Sequence, residues 1–170
     1  MLIGDKKNFA VEYELDPNSG GQWMYGKICY WIEGDKIGEY ALGTSLRDVF
    51  LQMKYLVHDS GKRSSEVLCS QSPENIFYLL NESIYGDNEN VRSEVPDSPS
   101  RFEITIPVDV FDHWKIFLID CNSYSIVLYK RIEGKEVRST RLHLGEYDNV
   151  ITKLYDDLES IYERTVASVG

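Results

Sequence analysis

The hydrophobic period of this chain switches near residue 45 and switches back after residue 100, and that pattern limits the fold more than any single motif. Phe9, Val11, Tyr13 and Leu15 alternate with Ala10, Glu12 and Glu14. A period of two belongs to a half-buried strand. Residues 23–32 are nearly continuous in apolar and aromatic side chains, broken by Gly26 and Lys27, and read as a more central strand; 36–42 returns as a third. Turn chemistry at 16–21 and 33–35 joins them into an antiparallel meander.

From Leu46 the spacing becomes helical. Leu46, Val49, Phe50, Met53, Leu56 and Val57 form one apolar stripe, with Ser45 and Asp48 placed as in a capping box. A second helix is predicted from Ser72-Pro73, with Ile76, Phe77, Leu80 and Ile84 on one face and a stop near Gly86. Residues 86–100 hold only Val91 and Val95 as apolar positions and read as an exposed loop. Strands are then expected at 102–106, 115–121, 125–132 and 136–144, and a long helix at 147–166 carries Val150, Ile151, Leu154, Leu158 and Ile161. The predicted order is βββ-αα-ββββ-α. Short turns between strands imply an antiparallel sheet, so the expected fold is a single α+β domain over 1–170, with a six- to seven-stranded mostly antiparallel sheet and three helices.

A chain of 170 residues can bury about 70% of the surface its unfolded form exposes, without disulfides or metals. Its 18 basic and 28 acidic residues give a net charge of −10. Binding to nucleic acid or to an anionic membrane surface is not expected, because phosphate contacts need Lys and Arg. Charge by segment is uneven. Residues 72–114 hold nine acids and two bases, 146–170 six acids and two bases, and 115–145 six bases and three acids. Two acidic groups follow: Glu82, Asp87, Glu89, Glu94 and Asp97 near Tyr85, and Asp156, Asp157, Glu159 and Glu163 on the last helix. They read either as solvated faces or as a surface that steers a basic partner.

No stretch has the length of a membrane span or a secretory signal. Cys29, Cys69 and Cys121 show no CxxC or zinc-ligand spacing, and Cys29 and Cys121 read as core residues in a cytoplasmic protein with reduced thiols. His58-Asp59-Ser60 has the letters of a hydrolase triad, but consecutive residues at a helix end diverge. No P-loop, GxGxxG or GxSxG occurs. No catalytic, cofactor-binding or metal site is predicted. Trp23, Tyr25, Tyr30 and Trp31 could stack on bases, yet only Lys27 accompanies them, and packing in the sheet is the expected role.

Ile3-Gly4-Asp5 with Phe9-Ala10, Trp23-Met24-Tyr25-Gly26-Lys27 with Tyr30-Trp31-Ile32, and Leu42-Gly43-Thr44-Ser45-Leu46 together resemble immunity protein family 42 of bacterial polymorphic toxin systems. The likeness spans about residues 1–60, and its Gly, Trp, Tyr and Phe residues look like fold determinants. It implies a non-enzymatic cytoplasmic protein that binds and neutralises a cognate toxin, with a nuclease bearing a basic cleft as the partner that suits an acidic inhibitor. The two acidic groups and Tyr85 are the expected toxin-binding residues. A different non-catalytic interaction module, such as an adaptor or chaperone, is the alternative, and a small enzyme with an unrecognised carboxylate or Tyr site is a third.

Overall fold

The computed structural model describes residues 1–167. Their contacts divide into two compact units, each with its own antiparallel sheet. The chain enters the first unit three times, at 1–58, 106–113 and from Glu146 onward, and the second twice, at 59–105 and 114–145.

The first unit is built on a five-stranded sheet: β1 (Leu2–Gly4), β2 (Phe9–Leu15), β3 (Tyr25–Ile32), β4 (Asp35–Ile37) and β5 (Thr44–Ser45). Strands β1 to β4 follow sequence order, and β5 pairs with the start of β3. The period of two in β2 sets the faces. Phe9, Val11 and Tyr13 lie opposite Ile32, Tyr30 and Ile28 of β3 on one face. Over this unit pack α1 (Leu46–His58) and α5 (Glu146–Ala167), which bury Val49, Phe50 and Met53 from one and Tyr147, Ile151, Leu154 and Leu158 from the other. Phe9 contacts both Tyr30 and Tyr147 with ring centroids 5.3 and 5.1 Å apart. Ser45 Oγ accepts from the Asp48 amide at 3.2 Å, so half of the anticipated capping box forms. On the opposite sheet face, Lys6 Nζ and Trp31 Nε1 both donate to Glu12 at 2.7 and 2.8 Å, and Lys6 above all holds this carboxyl below its ordinary range.

The second unit has a three-stranded sheet, β6 (Trp114–Asp120), β7 (Tyr124–Arg131) and β8 (Arg138–His143), in sequence order. Its core gathers Leu68 of α2 (Glu66–Cys69), Ile76, Phe77, Leu79 and Leu80 of α3 (Pro73–Tyr85), Val91 of α4 (Glu89–Arg92), and Phe117, Ile119 and Leu128 of the sheet. Ser72 caps α3, and Pro73 starts it, as its sequence predicts. Arg63 is fully buried here and donates its Nε–H to the Arg101 carbonyl at 2.9 Å.

Four expectations change. The single sheet of six or seven strands is instead two sheets of five and three, and five helices replace three among the described residues, since α2 and α4 are single turns too short to show a period. Residues 102–106 keep their alternation, with Phe102, Ile104 and Ile106 all buried, but make only one bridge to β6, at Glu103 and Phe117. The 86–100 segment is not simply a loop: Asn88 caps α4, and Val91 and Val95 anchor it in the core. Finally, Cys69 and Cys121 are joined in a disulfide with Cα atoms 5.9 Å apart, whereas only Cys29 is a free, buried thiol. The reading of three reduced cysteines, with Cys121 as a plain core residue, is overturned, because the chain folds back over a separation of 52 residues to bring the two together.

Candidate functional site

The two predicted acidic groups fall in different units. In the second unit, Glu82 is half-buried on α3 with its carboxylate against Gly86, while Asp87, Glu89, Glu94 and Asp97 are exposed along the segment that α4 pins down. Tyr85 ends α3 with its ring half exposed; its hydroxyl donates to Glu103, and Lys115 Nζ lies 3.5 Å over the ring. Burial first, then the Glu103 carboxylate, push this phenol well above the usual tyrosine range. A cavity of about 220 Å³ beside it is lined by Phe77, Asn81, Lys115 and Lys130, so Tyr85 borders a basic hollow as well as the acidic segment.

In the first unit, Asp156 and Glu163 are exposed on α5 and Glu159 is half-buried. Asp157 is engaged inside the unit: it pairs with Lys153 and accepts from the Tyr13 hydroxyl. Among the described residues no group of three or more His, Cys, Asp or Glu is placed to hold a metal ion, and no helix is long and apolar enough to cross a membrane.

Charge settles differently in the fold than along the chain. The first unit holds sixteen acids and eight bases, a net of −8; the second holds twelve acids and ten bases, a net of −2. Segment 72–105, the most acidic by sequence, folds together with the basic strands β6 to β8, which nearly cancel it.

One pair of aromatics that the sequence pattern places in the packing of the sheet is instead exposed. Tyr30 is fully buried and Trp31 half-buried, but Trp23 is 43% and Tyr25 47% exposed. Their rings stack with planes 9° apart and centroids 6.5 Å apart, and Arg47 lies 3.9 Å over Trp23 while pairing with Asp48 at 2.9 Å. Leu42 nearby in sequence to β5 is 64% exposed. Segments 23–27 and 42–46 meet here, because β5 pairs with Tyr25 and Gly26. Gly26 belongs there for steric reasons: a Cβ would lie 2.2 Å from the Glu14 carbonyl oxygen. The signal for this surface in the sequence was two aromatics bracketing Met24, and their exposure was not readable from it.

Exposed aromatics beside carboxylates, on sheets held rigid by packed helices, define an α+β protein whose surfaces are suited to recognising another macromolecule. The family model described as Immunity protein 42 (Imm42) matches residues 1–157, and the chain belongs to that family. Immunity proteins are inhibitors rather than enzymes, and the chain is an immunity protein in that sense. Its fold is also that of CdiI from Burkholderia dolosa AUO158, a crystal structure with 16% sequence identity, a TM-score of 0.71, and alignment over 92% of this chain and 99% of that one. Curated protein sequences gave no significant match.

Proposed function

We propose that this protein protects the cell that makes it by binding a cognate toxin of a polymorphic, contact-dependent inhibition system and covering its functional surface. The match of the Imm42 family model across residues 1–157 carries this reading. Neutralisation takes place in the cytoplasm, where an immunity protein meets toxin made in or delivered to the same cell. The partner is a toxin domain with a basic functional surface, a nuclease cleft being the arrangement that an acidic inhibitor can occupy. The acidic segment of Glu82, Asp87, Glu89, Glu94 and Asp97, anchored by Tyr85, supplies one contact surface, and Asp156, Asp157, Glu159 and Glu163 of α5 a second.

The test is co-expression with the C-terminal domain of the toxin gene next to its own. Cells should survive only with the immunity protein present, and the two proteins should co-purify. Reversing Glu82, Asp87, Glu89 and Glu94 together should slow association and flatten its salt dependence, since exposed charges act mainly on encounter rate. Wild-type association kinetics in that variant would remove the acidic segment from the interface. Cell death despite the wild-type protein would remove the proposed function.

A further inference from the structure

We propose that Trp23, Tyr25 and Leu42 form a preorganised docking surface in the first unit for a basic, Arg- or Lys-bearing segment of the toxin. The proposal rests on the toxin-binding reading above and places a contact at residues outside both acidic groups named there, on a turn that packs against α5. Three large apolar side chains are exposed together in sequence segments that pair with each other, at 43%, 47% and 64%. The core of the unit does not need them: Met24, between the two aromatics, is fully buried, and so are Ile28 and Leu46.

The aromatic pair is held in place by backbone. Met24 adopts φ 51°, the left-handed region that non-glycine residues rarely occupy. Such strain persists only where the surroundings over-determine it. Here the Met24 amide donates to the Gly21 carbonyl at 3.0 Å, its carbonyl accepts from Leu46 at 3.0 Å, and the Tyr25 amide donates to Ser19 at 2.7 Å. Ser45 Oγ donates to the Trp23 carbonyl at 2.9 Å. The left-handed turn sends Met24 inward and leaves both flanking rings outside. Gly20 completes the arrangement, since a Cβ there would lie 2.7 Å from the Tyr25 ring. Rings fixed before binding lose little entropy on contact, which is what makes aromatic anchors effective.

Charge identifies the occupant. Beside Tyr25 and Leu42 runs a cleft of about 530 Å³ whose charged lining residues are Asp16, Asp48 and Asp109, with no Lys or Arg in its lining. The whole unit carries a net charge of −8. A second copy of this chain would bring carboxylates against carboxylates, and a nucleic acid would bring phosphates against them. A basic protein segment is complementary in both charge and surface. The unit already contains the contact in miniature: Arg47 rests on the Trp23 ring with the Asp48 carboxylate at its edge. A toxin Arg or Lys on the Tyr25 side would repeat it, its head between Asp16 and Asp109 and its stem against Leu42.

The experiment measures binding of the full chain to the C-terminal domain of the adjacent toxin gene, by calorimetry and by association kinetics at two salt concentrations. Two variants are compared, W23A/L42S and D16K/D109K, each checked for an unchanged circular dichroism spectrum and urea midpoint. W23A/L42S should weaken binding on the order of 100-fold, mostly through faster dissociation. D16K/D109K should slow association about tenfold and reduce its salt dependence. If W23A/L42S does not fold, D16K/D109K decides alone, because its changes lie on polar surface. Wild-type binding retained within threefold by D16K/D109K would overturn the surface and leave the immunity reading standing. No binding by the wild-type protein would overturn both. A wild-type dimer that either variant converts to monomers would overturn the basic-partner assignment in favour of a second copy.

Discussion

Glu103 and Lys115, twelve residues apart in the chain, form an ion pair at 3.3 Å in which the second carboxylate oxygen of Glu103 accepts from the Tyr85 hydroxyl. One acid thereby ties the acidic segment to the basic strand β6. Both side chains are mostly buried, so the pair is less screened than a surface ion pair.

Glu103→Gln should lower stability by about 1–2 kcal/mol, because a half-buried ammonium loses its counter-charge. It should also move the Tyr85 phenol back toward the ordinary tyrosine range without reaching it, since burial is the larger cause of its shift. Urea denaturation and an ultraviolet tyrosine titration check the two effects.

Leu154 is fully buried on the apolar face of α5. Leu154→Ala should cost about 2–5 kcal/mol, as a core truncation does. A urea midpoint equal to that of the wild type would contradict the packing of α5 described above.

The Cys69–Cys121 bond closes a loop of 52 residues in the second unit. In the chain-entropy account a loop of that length contributes up to about 4 kcal/mol. Reduction with dithiothreitol, or Cys69→Ser, should lower the urea midpoint accordingly. Thiol titration of the unfolded protein should count one thiol before reduction and three after it.

Cys29 is buried, and burial pushes its thiol from 9.0 up to about 11. The folded state therefore keeps a proton that the unfolded state releases first. This contribution to stability is therefore fully present below pH 9, declines as pH rises, and is gone above about pH 11. The wild type should lose stability across that window by more than Cys29→Ala, measured as the difference between their urea midpoints. At pH 8 the native thiol should resist iodoacetamide.

Elements long enough to repeat their period were legible in the sequence. The alternation at 9–15, the stripe from Leu46, the Ser72-Pro73 start and the stripe of Leu154 and Leu158 each became the element they predicted. Strands β1 and β5 have three and two residues, too few to carry a period, and they complete the first sheet. The division into two sheets was hidden because it depends on which strands fail to pair, and nothing local encodes that. The disulfide was hidden by its 52-residue separation. The family resemblance rested on Trp23, Tyr25 and Leu42 among others, and it was legible. That these three face outward was not: for Trp23 and Tyr25 the φ of Met24 decides it, and Met is an unexpected residue for a left-handed turn.

The first unit is assembled from three stretches of chain, and its sheet precedes in synthesis the helix α5 that covers Phe9 and Tyr13. During translation that sheet waits, with α1 in hand but the part of its apolar face that α5 covers still bare, while residues 59–145 are made; the second unit has all of its chain first. Neither unit can be excised as one continuous fragment. A nonsense mutation anywhere before Glu146 removes Tyr147, Ile151, Leu154 and Leu158 from the first unit at a stroke. The integrity of the first unit thus depends on the last stretch of chain to be made: a reading frame truncated just before Glu146 leaves the second unit with all of its chain and the first with one of its two helices.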